Sequence, residues 1–328
     1  MIPLSVLDLV PVREGSGPAE ALAEAGRLAA VAESAGYRRF WVAEHHGTDG
    51  IAGGATAVVL AHIGHCTATI RIGAGGVMLP NHNPFVIAEQ FGTLDALFPG
   101  RVDLGLGRAP GAAGILARAL RKDLHEAASG FPQDVLELRA LLTGDVDLPI
   151  TATPGLGAKL DLWILGSSLF GAQLAAQLGM RYAFASHFAP EHLDAALSTY
   201  RSQFRPSPAL QAPYVMAGMS VIAAETDRDA ETLASSQDQS FVRMRTGKFG
   251  KLPPPIPDYR ASLSLADQAI LDRLGAARAV GSPATVRDRI ARFVERTRVD
   301  EIIVSGPTFD PLARQHSLRL TQEALRAG

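Results

Sequence analysis

The sequence predicts an α/β fold of the (β/α)8, or TIM-barrel, class, with insertions after its fourth and seventh strands. Three observations lead there. Short apolar runs alternate with amphipathic helical stretches along all 328 residues. Polar, chemistry-bearing residues gather just past the ends of those runs, while opposite loops such as Gly36-Tyr37-Arg38 and Thr67-Ala68-Thr69 are plainer. A parallel barrel carries its site at one face, so this asymmetry is the expected one. No linker with a composition shift on both sides interrupts the chain, and residues 1–328 read as one domain.

The eight strands are expected at Leu4–Val10, Arg39–Ala43, Ile70–Val77, Val102–Leu106, Leu160–Leu165, Tyr182–Ala185, Tyr214–Ala223 and Glu301–Val304. Their helices are well punctuated. Pro18 opens one that closes at Gly36, and Asn83-Pro84 supplies an N-cap and first-turn proline for a helix stopped by Pro99-Gly100. Ser282-Pro283 does the same for a helix carrying Val286, Ile290, Phe293 and Val294 at core spacing. The first surplus runs from Ala109 to Thr153 and holds one helix around Pro132–Leu142. The second, Thr246–Leu265, contains Pro253-Pro254-Pro255 and Pro257, too rich in proline and glycine for regular structure, and reads as a lid. An open doubly wound sheet is disfavoured, because Gly105–Gly111 lacks the G-x-G-x-x-G spacing.

Composition excludes several classes. Thirty-one basic and thirty-three acidic residues are interspersed, leaving no basic face for nucleic acid and no polybasic membrane patch. No run of about 18 apolar residues could span a bilayer. Met1–Val10 does not read as a signal peptide, and the lone Cys66 rules out an internal disulfide and fits a reducing compartment. A cytoplasmic protein is expected.

Several residues past strand ends can carry chemistry. Leu165-Gly166-Ser167-Ser168 leads into a helix, where a glycine admits a ligand to the backbone and amides with hydroxyls meet a positive dipole end. Arg108, past the neighbouring strand, adds a forked cation, so the pair suits a phosphate. The competing reading is that Ser167 merely caps the helix. Gly75-Gly76 weakens the third strand, which suits an unusual peptide or a flat ligand as well as tight packing. Glu44-His45-His46 ends the second strand, and Asn81-His82 follows the third. No metal site is expected, since His45 and His46 are adjacent and point apart.

These segments resemble the bacterial luciferase-like flavin monooxygenases, essentially end to end. The carriers are Phe40–His46, Ile72–Pro84, Ala88–Asp95, Pro99–Arg108 and Ile164–Ser168. The resemblance implies a barrel binding FMN at its C-terminal mouth. Arg108, Gly166, Ser167 and Ser168 would hold the phosphate, and Gly75-Gly76 matches a non-prolyl cis peptide beneath the flavin ring. Glu44 would support that region, His45 matches the catalytic histidine, and Ser186 falls near the ring. Gly47-Thr48-Asp49 and Gly111–Ile115 depart from the family pattern at the presumed mouth.

The resemblance further implies a two-component monooxygenase. A separate flavin reductase would supply reduced FMN, and O2 would react with a small organic substrate. A deazaflavin (F420)-dependent oxidoreductase and a non-catalytic flavin-binding protein are the alternatives. A homodimer through the helices after strands two and three is also implied, with Thr56–Cys66 and Pro84–Phe98 rich in small and apolar residues.

Overall fold

The computed structural model describes residues 1–109, 119, 124–245 and 247–327. Its first half alternates strand and helix: β1 (Leu4–Asp8), α1 (Pro18–Ala35), β2 (Arg39–Val42), α2 (Thr56–Cys66), β3 (Arg71–Met78), α3 (Pro84–Leu97) and β4 (Val102–Gly107). There follow α4 (Leu124–Thr143), β5 (Asp161–Gly166), α5 (Leu169–Leu178), β6 (Arg181–Phe184), α6 (Leu193–Gln203), β7 (Val215–Ala223) and α7 (Asp227–Arg245). The chain ends with α8 (Leu265–Leu274), β8 (Arg278–Gly281), α9 (Pro283–Thr297), β9 (Glu301–Ser305) and α10 (Pro311–Arg326).

Strands β1 to β7 and β9 pair in parallel and close on themselves, β6 meeting β7 and β9 meeting both β7 and β1. The result is the expected eight-stranded barrel. Two apolar cores follow from strand alternation. One lies between barrel and helices; the other fills the lumen with Leu7, Trp41, Ala43, Trp163, Ala183, Met216 and Ile303. Trp41 and Trp163 meet edge to face at 5.2 Å, and Tyr214 continues the stack at 5.7 Å from Trp163.

Strand bounds agree with expectation to within two residues, the largest shift being β1, which stops at Asp8. There the Asp8 carboxylate accepts from the Val10 amide, and Val10 takes a positive φ of 53°, which turns the chain out of the sheet. Helix α4 runs through Pro132 from Leu124 rather than starting at Pro132. A proline removes one backbone bond, and the buried Phe131, Val135 and Leu138 hold that turn against the barrel.

A ninth strand, β8, was not expected. It pairs with the far half of β7, Ser220 to Ala223, beyond the point where β6 has stopped. Among its described residues, the proline-rich segment that follows α7 holds a short 3-10 turn, Tyr259–Ser262, before α8 begins. It is strapped down: Leu252 exchanges backbone bonds with Val12 and Glu14, Lys251 Nζ donates to the Ser16 carbonyl, and Gln239 donates to that of Pro254.

The N-terminal face of the barrel is not plain. Arg39, nearly fully buried, donates to Asp103 at 2.8 Å and to Glu301 at 3.0 Å. Arg71 bonds Asp103 and pairs with Asp161, which also pairs with Arg181. Ser5 and Tyr214 both donate to Glu301, and Trp41 donates to Asp103. This ring of charges closes the lumen from below.

Candidate active site

Five adjacent strands, β2 to β6, deliver the expected site residues to one arc of the C-terminal rim. Glu44 is buried just past β2. One of its oxygens accepts from His46 Nε2 at 2.6 Å and His82 Nε2 at 2.8 Å; the other accepts from the Met78 amide at 3.0 Å. Burial alone would raise the carboxyl's pKa. The bonds from His82, His46 and Met78 outweigh it and hold Glu44 below its ordinary value, so it stands ionised.

His45 is solvent-exposed just past the end of β2, with protein packed around its ring. Those surroundings push its pKa down, and the charge of His46 adds to the effect against the opposing pull of Glu44. Its imidazole is therefore neutral at neutral pH and able to take a proton.

On β3 the Gly75-Gly76 peptide is cis, and the register with β4 shifts between Gly75 and Val77. A side chain at Gly76 would put its Cβ 2.7 Å from the Gly105 carbonyl oxygen, so backbone packs on backbone here and leaves a smooth surface. Glu44 grips the same strand two residues on, at Met78.

The β4 and β5 ends come together at the start of α5. Arg108 is exposed, makes no ion pair among the described residues, and lies 4.1 Å over the ring of Phe170. Ser168 occupies the N-cap position of α5 with extended backbone but makes no side-chain cap bond. Ser167 is half-buried beside it, and the Tyr182 hydroxyl donates to the Ser168 carbonyl at 3.4 Å. The competing reading made Ser167 the cap; the N-cap position is instead that of Ser168, and its side chain makes no cap bond. The start of α5 therefore brings helix-terminal amides and the Ser167 and Ser168 hydroxyls into the neighbourhood of an arginine stacked on Phe170, groups that can attract an anion.

Past β6, Ser186 is fully buried and donates to the Gly218 carbonyl at 2.6 Å. The neighbouring His187 had been given no role. Its Nδ1 is buried without a hydrogen-bond partner, and a Cβ on Gly218 would fall 2.1 Å from that atom. Burial first, and the charge of His45 second, push the His187 pKa down to about 4. His82 and Phe170 are the other members the sequence reading left unassigned; only their places just past strand ends hinted at them. Residues 111–115 lie outside the described residues.

A family model for luciferase-like monooxygenases matches residues 2–301. The chain belongs to the luciferase-like monooxygenase family. It is 47% identical to a luciferase-like monooxygenase of Escherichia coli (strain K12) over 98% of this chain and 96% of that one. It is 30% identical to the N-acetyl-S-alkylcysteine monooxygenase of Bacillus subtilis (strain 168), over 100% of this chain and 99% of that one. Among solved structures, apo-MsnO8 superposes with a TM-score of 0.89 at 36% identity, covering 100% and 99% of the two chains. Membership makes this luciferase-like protein a flavin-dependent monooxygenase or oxidoreductase. Two more distant barrels share the fold alone: the FMN complex of a 3,6-diketocamphane monooxygenase at 17% identity, and an F420-dependent secondary alcohol dehydrogenase at 15%.

Proposed function

We propose that the protein is the oxygenating component of a two-component monooxygenase, which takes reduced FMN from a separate flavin reductase and uses O2 on a small organic substrate. The observation that carries this reading is the uncapped start of α5 opposite the Phe170-held Arg108. Arg108, Gly166, Ser167 and Ser168 would hold the FMN phosphate, and the smooth Gly75-Gly76 edge would floor the ring, with Glu44 bracing that edge through Met78. Ser186 would act from behind the wall, through Gly218. Reduced FMN, when bound, supplies the electrons with which one oxygen atom of O2 enters the substrate and the other leaves as water.

The chain's own part is to bind, to exclude water and to manage a proton. His45, neutral and just past the end of β2, takes or returns that proton; His187, neutral as well, avoids adding a second charge beside it. The 247–264 segment, already tied to the loop after β1, would cover the mouth when substrate is present.

The name of the 30% identical Bacillus relative makes thioethers the first substrates to assay. The test combines the protein, FMN, NADH, a flavin reductase and O2, with product followed by mass spectrometry. His45→Ala should keep FMN affinity within about twofold and lose product formation by a factor of 100 or more, on the order of a lost general acid–base group. Turnover equal to the parent protein would sink the role of His45. Tighter binding of F420 than FMN would reassign the cofactor, and flavin binding without product from any substrate would make this a carrier.

Among the described residues no helix is long and apolar enough to cross a membrane. The reading places the protein in the cytoplasm, as a homodimer. Val58 of α2 and Val86 and Leu97 of α3 are 71%, 44% and 52% exposed, an apolar face for a second copy to cover. Sedimentation as a monomer at micromolar concentration would rule the dimer out.

A further inference from the structure

The end of β2 and the turn after β3 meet in a cluster of three ligand-type side chains. His46 and His82 both bring Nε2 to the same oxygen of Glu44, at 2.6 and 2.8 Å. The three donor atoms lie within 4.8 Å of one another. Because the Met78 amide holds the second carboxylate oxygen at 3.0 Å, the carboxylate's orientation is set by backbone and not only by the imidazoles. The expectation of no metal site rested on His45 and His46 pointing apart. The pair that converges is His46 with His82, and His45 is not a member.

We propose that Glu44, His46 and His82 form a binding site for a divalent cation of the zinc class. Two imidazole nitrogens and one carboxylate oxygen are a donor set that such ions prefer, with a remaining position for water. Bonds of about 2.1 Å in a tetrahedron put donors roughly 3.4 Å apart, so each present N···O contact need open by less than about 1 Å. Side-chain rotation suffices for that, since the imidazoles are 23% and 30% exposed against 2% for Glu44. The carboxylate is thus buried on the protein side and the two imidazoles stand toward solvent, where an ion arrives. A bound cation would tie the β2 end to the turn after β3, one on each side of Met78.

The inference does not depend on the flavin reading, because the probe is the metal alone. Full-length protein is stripped with chelator and titrated with Zn2+ by calorimetry and with Co2+ by visible absorption. The background is Cys66→Ser, since Cys66 Sγ lies 3.9 Å from His62 Nε2 on the surface and that pair could collect metal itself. We expect one saturable equivalent with micromolar or tighter affinity, and the intense visible bands of a four- or five-coordinate cobalt site. His46→Ala and His82→Ala should each weaken binding at least tenfold, while His45→Ala leaves it unchanged. His82→Gln keeps a hydrogen-bond donor for Glu44 yet is a poor ligand, so it must keep the fold by circular dichroism and still lose the cation. Absence of saturable binding, or binding indifferent to His82→Gln, means the cluster is a hydrogen-bonded triad only and overturns the proposal. Equal loss in His45→Ala overturns it as well.

Discussion

The guanidinium of Arg108 stacks 4.1 Å above the ring of Phe170, the second residue of α5. An exposed arginine ordinarily samples many rotamers, so the ring restricts it to the helix terminus before any ligand arrives. We expect Arg108→Gln to weaken FMN binding by about 10- to 100-fold, the worth of one lost charge-assisted contact to phosphate. Phe170→Leu should weaken it by roughly two- to fivefold, through lost pre-organisation alone. Fluorescence titration reads both; riboflavin, lacking the phosphate, should bind the parent and Arg108→Gln proteins alike. A parent-like FMN affinity in Arg108→Gln would remove the arginine from the site.

The two helix starts at Asn83 and Ser168 offer an internal contrast. Asn83 accepts from the Phe85 amide at 2.9 Å, whereas Ser168 makes no cap bond. Asn83→Ala should cost about 1 kcal/mol of stability and leave FMN binding alone. Ser168→Ala should do the reverse, changing stability by less than about 0.5 kcal/mol while weakening FMN roughly tenfold. Urea melts and FMN titrations on both variants settle it; equal stability losses would return Ser168 to an ordinary capping role.

His187 makes stability depend on pH in a definite direction. Its folded pKa, about 4, lies below the ordinary histidine value of 6.5, so the unfolded chain binds the proton more readily. Stability from this group is therefore fully present above pH 6.5 and is lost as pH falls toward 4. The size is about 3 kcal/mol, counting roughly 1.36 kcal/mol per unit. His45, whose pKa is also lowered, acts in the same direction, while the lowered carboxyls of Glu44 and Glu33 act at more acid pH. His187→Gln should flatten the slope of urea midpoint against pH between 6.5 and 4. An unchanged slope would mean the imidazole is charged as readily folded as unfolded.

The ring beneath the lumen should matter for folding and not for flavin. Arg39 is 1% exposed and bridges Asp103 and Glu301. Arg39→Met strands two buried carboxylates and should cost about 3–5 kcal/mol. The FMN affinity of the fraction that remains folded should not change, because the ring sits at the opposite barrel end. A cost under about 1 kcal/mol, from denaturant midpoints, would show that the ring relaxes without its centre.

The barrel strands were legible because each is a short apolar run closed by glycine, proline or a polar cluster, and that signal is local. β8 was not, since Arg278-Ala-Val-Gly281 carries only two small apolar residues, Ala279 and Val280, between a charge and a glycine, where the equally short β2 and β6 carry aromatic ones. Its reason for being a strand, the bare half of β7, lies elsewhere in the chain. The charge ring escaped for a similar reason. Arg39, Arg71, Asp161, Arg181 and Glu301 each open a strand and read as ordinary polar ends. Only closure brings Arg39 and Glu301, 262 residues apart, into contact.

At the rim, Glu44, Gly75, Gly76, Arg108 and Gly166 to Ser168 could be named because polarity past a strand end is visible in one dimension. The pairing of His82 with Glu44 spans 38 residues and depends on how the turn after β3 folds back. The unassigned mouth residues 111–115 lie outside the described residues.

The space that Gly218 leaves for His187 has a consequence for the lineage of this protein. Neither position is free to change first: a side chain at 218 would strike the imidazole, and a smaller residue at 187 would open a void against a bare glycine. In an alignment of relatives the two columns should therefore vary together, glycine at 218 accompanying histidine at 187 and alanine or larger at 218 accompanying something slimmer. Substitutions that enlarge or reshape the substrate cleft on this side should arrive as a double change, not as a single step.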